Sequence, residues 1–274
     1  MSGMDFTGKR VVVTGGASGV GAALLDVLAE LGGPRVTVLD LRAPAGPHGK
    51  FIETNLGDEA ALEAAIAQIE GPVDVLFNNA GVADTSPRDT VIAVNLLAPL
   101  RLTQALAPLM SEGGAVVNTG SIAGLNWSKR LDAIQELLTL DGRKEMIDWF
   151  AGRDLGLDCY SFTKEVLQVW TMREAQPLRQ RGIRINTVCP TPIDTPLVGD
   201  FRKTVGAAGM DFTIAHSGGR MVSAREVASV LAFLGSPAAA FVSGQAIDID
   251  YGFRGAIITG RLDTSSVRAS AGRD

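Results

Sequence analysis

The sequence predicts an α/β fold, a single domain on a doubly wound, mainly parallel sheet of about seven strands. Three observations carry that prediction. Short β-branched runs without polar interruption recur along the chain and alternate with segments of helical apolar spacing. The first run, Arg10–Val13, breaks at Thr14-Gly15-Gly16 and leads straight into helical spacing over Val20–Leu31. No linker, repeat or low-complexity block divides the 274 residues before a polar tail, at about 261–274, that is expected to be mobile.

Lys9–Gly21 reads KRVVVTGGASGVG: strand, glycine turn, helix. Glycine is needed where a backbone must approach a pyrophosphate, because a Cβ would collide with it. The unpaired amides and positive dipole end of the helix then face a dianionic group. The pattern points to a dinucleotide-binding unit of the Rossmann type, with Gly15, Ser18, Gly19 and Val20 as candidate cofactor contacts. Arg35–Asp40 is the second strand, and it ends in a carboxylate roughly twenty residues after the turn. Asp40 there can accept from both hydroxyls of an adenosine ribose and would repel a 2′-phosphate. Neither Ala17 nor Leu41 supplies a phosphate-binding cation, and Arg42 is the only rival, so NAD is expected over NADP.

Pro44–Gly49 is a loop in which His48 is expected to be exposed. Phe51–Thr54 is a short strand, followed by Asn55-Leu56 and a helix from about Asp58 to Ile69, whose early acids Asp58, Glu59 and Glu63 complement its dipole. Val73–Phe77 is a buried strand that runs into Asn78-Asn79-Ala80-Gly81. Val91–Met110 is a long helix, kinked at Pro99 and weakened at Pro108. Strands five, six and seven are Ala115–Thr119, Arg184–Cys189 and Ala246–Asp250.

Composition narrows the function classes. The net charge is −5 and no basic run is long, which argues against nucleic acid as the partner. The two cysteines, Cys159 and Cys189, match no metal or redox spacing, and so few argue against a disulfide framework. The N-terminus has no apolar signal region, and no apolar run approaches the ~20 residues of a membrane span. A soluble cytoplasmic protein acting on a small molecule is expected, with no metal.

Tyr160-Ser-Phe-Thr-Lys164 is the second informative stretch. In a helix, residues at i and i+4 stand on one face, one turn apart. An ammonium that close stabilises phenolate and lowers the tyrosine pKa from its usual ~10, which makes an inert phenol a usable acid or base. The chain has only one other tyrosine, Tyr251, beyond the last strand.

With these motifs in order, the chain resembles the short-chain dehydrogenase/reductase family over about residues 6 to 252. Thr14-Gly15-x-x-x-Gly19-x-Gly21 resembles the family's cofactor signature, and Asn78-Asn79-Ala80-Gly81 its sheet-supporting motif. Asn95, Ser121, Tyr160 and Lys164 match the catalytic tetrad. The resemblance implies NAD(P)-dependent interconversion of an alcohol and a carbonyl. Tyr160 would move the hydroxyl proton, and Ser121 would hydrogen-bond the developing alkoxide. Lys164 would lower the tyrosine pKa and hold the nicotinamide ribose, and Asn95 would anchor a water relaying protons from Lys164. Asn55, Leu56, Asn79, Ala80, Gly81, Pro190, Ile193 and Thr195, together with Tyr160 and Lys164, are the further cofactor contacts that the resemblance implies. It also suggests a homodimer or homotetramer, with the helices Val91–Met110 and Ser161–Gln180 as candidate contacts.

The chain departs from the family pattern at several points. Asn55 replaces the usual aspartate beside the adenine, Pro190-Thr191 replaces Pro-Gly, and Asp250-Tyr251-Gly252 replaces Asp-Gly-Gly. The span from Ser121 to Tyr160 is far longer than usual, and an insertion of that length is either functional or disordered. Its composition argues for order: Leu131, Ile134, Leu137 and Leu138 keep helical spacing, and Trp127, Met146, Trp149 and Phe150 add apolar bulk. The insertion, about 125–158, is expected to be a helical pair that builds an aromatic substrate pocket from Trp127, Leu131 and Trp149, a subunit interface, or both. Such an insertion resembles the bacterial branch with coniferyl-alcohol dehydrogenases and 3α-hydroxysteroid dehydrogenase/carbonyl reductases. The coniferyl type lies closer, through Trp127-Ser-Lys-Arg130-Leu131 and Phe162–Trp170. A hydrophobic aryl or allylic alcohol is therefore the expected substrate, a hydroxysteroid or general carbonyl the alternative, and a non-catalytic NAD-binding scaffold or sensor the alternative of another class. Residues 198–219 read as a mobile, glycine-rich lid in which His216 is exposed rather than catalytic.

Overall fold

The computed structural model describes residues 3–264; most of the expected tail lies outside the described residues. Seven parallel strands form one sheet: β1 (Arg10–Thr14), β2 (Arg35–Asp40), β3 (Lys50–Glu53), β4 (Val73–Asn78), β5 (Met110–Thr119), β6 (Arg184–Pro190) and β9 (Gln245–Ile249). Across the sheet they lie in the order β3-β2-β1-β4-β5-β6-β9. Both faces are covered, which is why these strands read as apolar runs rather than alternating ones. Val11 and Val13 point into one core with helices α1 (Gly19–Glu30) and α10 (Ala224–Gly235). Val12 points into the other, with α2 (Glu59–Ile66), α4 (Ala98–Leu106) and α7 (Cys159–Arg179). The strand order reverses between β1 and β4, and a crevice at the C-terminal ends of such strands is where open α/β sheets bind ligands.

The long helix departs from expectation in an informative way. It starts as α3 (Arg88–Ile92), passes through a π-helical turn at Ala93–Leu97 that holds Asn95, and continues as α4 from Ala98, with Pro99 in the first turn. The Ala98 N–H reaches back to the Ala93 carbonyl, so the helix runs on through this wide turn and Pro99 lies just past it. By length and composition alone Arg88–Leu109 is apolar enough to cross a membrane, but it is mostly buried among the chain's own elements. Strand β5 starts five residues earlier than expected, at Met110, and its register then shifts between Met110, opposite Val73 of β4, and Ala115, opposite Val75.

The insertion folds as expected into a helical pair, α5 (Leu131–Leu137) and α6 (Arg143–Phe150), after a 3-10 turn at Trp127–Arg130. Its apolar side forms a third core. Ile134, Leu137, Met146, Trp149 and Phe150 bury Ile92, Leu96 and Leu97 of the long helix and Phe162, Val166 and Val169 of α7. These stretches belong to the two helices nominated as subunit contacts, and the insertion already occupies them.

The segment expected to be an irregular lid contains two helices, α8 (Val198–Val205) and α9 (Ala207–His216). Gly206 separates them at φ 83°, a conformation that favours glycine, so one glycine divides two short helices. Between Pro190 and α10 a small second sheet pairs β7 (Ile193–Asp194) with β8 (Val222–Ser223). A last short helix, α11 (Phe253–Ile258), follows β9; Asp250 caps it by accepting the Arg254 N–H at 2.7 Å.

Candidate active site

The glycine turn lies at the end of β1 against the start of the β4 loop. A Cβ on Gly15 would lie 2.7 Å from the Ala80 Cα, and one on Gly21 only 1.9 Å from the Gly15 carbonyl oxygen. Gly15 also sits at φ 72°. Thr14 ties the two loops: its hydroxyl accepts from the Asn79 and Ala80 amides, each at 3.0 Å. The Asn79 side chain donates to the Thr14 and Gly15 carbonyls and accepts from the Thr119 hydroxyl, so it braces β1, β4 and β5. Ser18 precedes α1 with extended backbone and makes no side-chain cap, and α1 carries no acid in its first turn. That leaves a bare helix N-terminus suited to an anion. Val20 is buried beneath it.

Asp40 ends β2 beside this turn. Its carboxylate accepts the Ala17 N–H at 2.9 Å and the Arg42 N–H at 3.3 Å, leaving lone pairs on both oxygens. Asn55 spends its Oδ1 on the Gly57 N–H at 3.0 Å, and Leu56 is buried. Pro190 ends β6, Ile193 lies in β7, and the Thr195 methyl would sit 3.2 Å from a Cβ on Gly19. The post-β6 segment therefore closes over the glycine turn. The steric cradle, the uncapped helix start and the strand-end carboxylate fit a dinucleotide.

Tyr160, Lys164 and Gln168 lie one turn apart on α7, whose first turn is capped by Asp158 accepting the Ser161 N–H. The Lys164 ammonium donates to the Thr119 carbonyl at 2.8 Å and lies 5.6 Å from the centre of the Tyr160 ring. Gly81 faces Lys164 and Asn95 together. Ser121 begins the turn after β5 and accepts the Ala123 N–H at 3.1 Å; its hydroxyl lies near enough to Tyr160 to favour the phenolate. Asn95 holds the backbone of Val82 at both ends, accepting its N–H and donating to its carbonyl at 2.9 Å. The structure thus gathers all four residues expected to be catalytic around the ends of β4 and β5.

The electrostatics differ from the expectation. Burial pushes the Tyr160 phenol up to about 12, with the Ser121 hydroxyl working against it. Burial also pulls Lys164 down to about 8. Burial penalises both charged forms, yet a lysine at about 8 stays mostly protonated at neutral pH; on the phenol, desolvation outweighs the proximity effect.

Trp149 is not where the pocket reading put it. It is buried in the insertion core, stacked on Phe162 with centroids 5.7 Å apart, and it donates its indole N–H to Glu136. Trp127 and Leu131 pack at the margin of the same core, half-buried. His48 and His216 are exposed, and no metal cluster occurs among the described residues.

Several neighbours were not anticipated. Asp84 accepts the Tyr160 N–H at 3.1 Å, and Gln168 donates to the Ser121 carbonyl at 3.0 Å. Gly124 allows that approach, since a Cβ there would meet the Gln168 amide at 2.4 Å. The i+4 spacing from Lys164 is a signal that could have pointed to Gln168. Phe201 of α8 touches the Tyr160 ring edge-on with centroids 5.0 Å apart, and no local pattern marks it.

A parallel sheet reversing beside a glycine cradle, with a Tyr-Ser-Lys group at its C-terminal edge, is the frame of an oxidoreductase. The chain belongs to the short-chain dehydrogenase/reductase family. Residues 9–133 match the short chain dehydrogenase family, and residues 155–254 match the family described as enoyl-(acyl carrier protein) reductase. Coniferyl-alcohol dehydrogenase of Pseudomonas sp. (strain HR199 / DSM 7063) is 33% identical over 251 residues, covering 91% of this chain and 98% of that one. The crystal structure of 3-alpha-hydroxysteroid dehydrogenase from Pseudomonas sp. B-0831 complexed with NADH superposes with a TM-score of 0.77 at 27% identity, over 93% and 100% of the two chains. A short chain dehydrogenase from Burkholderia cenocepacia J2315 in complex with NADP gives 0.70 at 26% identity, over 91% and 99%. Structural neighbours of this fold thus bind either nicotinamide dinucleotide.

Proposed function

We propose that this oxidoreductase interconverts a hydrophobic alcohol, aryl or allylic and of the coniferyl type, with its carbonyl, using NAD. The observation that carries the chemistry is the buried Tyr160 hydroxyl beside Ser121, with Lys164 one helical turn on and the glycine cradle opposite. Asp40 supports NAD, because a carboxylate with free lone pairs accepts ribose hydroxyls and repels a 2′-phosphate. Likeness to a coniferyl-alcohol dehydrogenase and the ordered insertion support the substrate class.

The residue roles rest on likeness to the family together with where these side chains sit. Gly15, Ser18, Gly19 and Val20 would hold the pyrophosphate, and Asp40 the adenosine ribose. Asn55 and Leu56 would lie beside the adenine, and Asn79, Ala80 and Gly81 would line the path to the nicotinamide half. Pro190, Ile193 and Thr195 would close over it, with Lys164 on its ribose. The cofactor supplies the hydride acceptor or donor. Ser121 holds the substrate oxygen by hydrogen bond and stabilises charge as it develops. Tyr160, a phenol at about 12, gives its proton to a nascent alkoxide in reduction. Taking a proton in oxidation needs positive charge beside the ring, and the Lys164 ammonium is the nearest the chain offers. Asn95, next to Gly81 and Lys164, would anchor the water that relays that proton outward. We further propose a homodimer or homotetramer.

Superposition on an NADH-bound hydroxysteroid dehydrogenase favours a 3α-hydroxysteroid or general carbonyl as the second reading. Nicotinamide absorbance with NAD or NADP, across coniferyl, cinnamyl and benzyl alcohols and a 3α-hydroxysteroid, separates the readings. Coniferyl turnover with NAD supports the proposal, and steroid preference replaces the substrate. Tight NADH binding without turnover of any member points to a non-catalytic scaffold.

A further inference from the structure

We propose that Phe201 sets the site's preference for an aromatic ring at the end of the allylic group on the reacting carbon, an inference that rests on the alcohol–carbonyl reading above. Trp149, the aromatic residue nominated from sequence for this role, is committed to the insertion core, where Phe162 stacks on it and Glu136 takes its N–H. Among the described residues, the ring packed against Tyr160 is Phe201, edge-to-face, with centroids 5.0 Å apart and planes at 62°. Tyr160 itself is only 8% exposed, so Phe201 forms part of the cover over its ring.

Phe201 is presented by a built element. Its helix α8 turns Val198 and Phe201 inward and Arg202 and Lys203 to solvent. Arg202 pairs with Asp211 of α9 at 2.6 Å. Phe212 of α9 in turn meets Phe253 of α11 edge-on at 6.4 Å. These contacts link α8 to α9 and α9 to α11. Gly206, at φ 83°, and Gly218 and Gly219, at φ 95° and 75°, interrupt the segment where it can bend.

An allylic carbinol engaged at the Tyr160 hydroxyl runs its short chain, and the group at the chain's end, past the ring that Phe201 touches. A planar ring there meets the edge or face of Phe201, as aromatic pairs prefer, whereas a methyl group meets only part of it. Phe201 therefore discriminates between substrates that share the same reacting group.

The test compares cinnamyl alcohol with crotyl alcohol, the same allylic carbinol with methyl in place of phenyl, as kcat/KM with NAD. Phe201→Ala, Phe201→Leu and Phe201→Tyr are measured beside the unmodified protein. The cinnamyl-to-crotyl ratio is expected to fall about tenfold in Phe201→Ala, mainly through KM. Phe201→Leu, which keeps bulk without a ring, should lose most of the preference, and Phe201→Tyr should retain it. A ratio within twofold of the unmodified protein in both the Ala and Leu variants overturns the inference and leaves the alcohol–carbonyl reading standing. Faster cinnamyl turnover in Phe201→Ala also overturns it, since Phe201 would then obstruct the ring. If the unmodified protein turns over neither alcohol, the underlying reading fails, and this inference with it.

Discussion

The guanidinium of Arg130 lies bidentate on the carboxylate of Glu165, with Nε donating to Oε2 at 2.6 Å and Nη2 to Oε1. Glu165 is fully buried and immediately follows Lys164, whereas Arg130 comes from the first turn of the insertion. Together with the bond from Gln168 to the Ser121 carbonyl, this pair fastens both ends of the segment Ser121–Arg130 to α7. The insertion is therefore part of the frame that holds the serine.

Breaking a buried ion pair from one side leaves an uncompensated charge. Arg130→Met should cost about 3 kcal/mol by urea denaturation, and Arg130→Met/Glu165→Leu should recover most of it. A single variant as stable as the unmodified protein contradicts this clamp.

Asp40→Asn removes the charge while keeping an oxygen for the Ala17 N–H. One charge–charge repulsion near a surface amounts to about 1–4 kcal/mol. The NADPH-to-NADH affinity ratio, read by nicotinamide fluorescence, should rise about tenfold or more. An unchanged ratio would show that Asp40 does not select the cofactor.

Lys164 titrates at about 8 in the fold against 10.5 ordinarily. Between those values the unfolded chain binds the proton and the folded chain does not, so stability rises with pH across that window. Below about 8 both states are protonated and this contribution is level. The stability of the unmodified protein minus that of Lys164→Met should therefore climb from pH 8 to 10.5. A difference that stays flat over that range rules out the buried, low-pKa lysine.

Much of the fold was legible because strands buried on both faces leave uninterrupted apolar runs; Arg35–Asp40 has the bounds that its residues announce. The glycine turn and the Tyr-x-x-x-Lys stretch were legible because each is a local spacing, and the fold brings them together with Asn95 and Ser121. The fate of Trp149 was not, since a pocket wall and a small core make the same demand for apolar bulk. Only the tertiary partners Phe162 and Glu136 decide between them. Helices α8 and α9 were hidden by their glycines, and Phe201 was hidden because its partner lies 41 positions earlier in the chain. The raised pKa of Tyr160 was not legible because spacing reports the nearby ammonium but not the depth of burial.

In the proposed reaction Tyr160 moves the proton during hydride transfer. Tyr160→Phe keeps the ring against Phe201 and removes only the hydroxyl. With NAD and the best alcohol of the panel, kcat should fall about 10²–10⁴-fold while NADH still binds. A kcat within tenfold of the unmodified protein would contradict the account and move the acid–base role to another group.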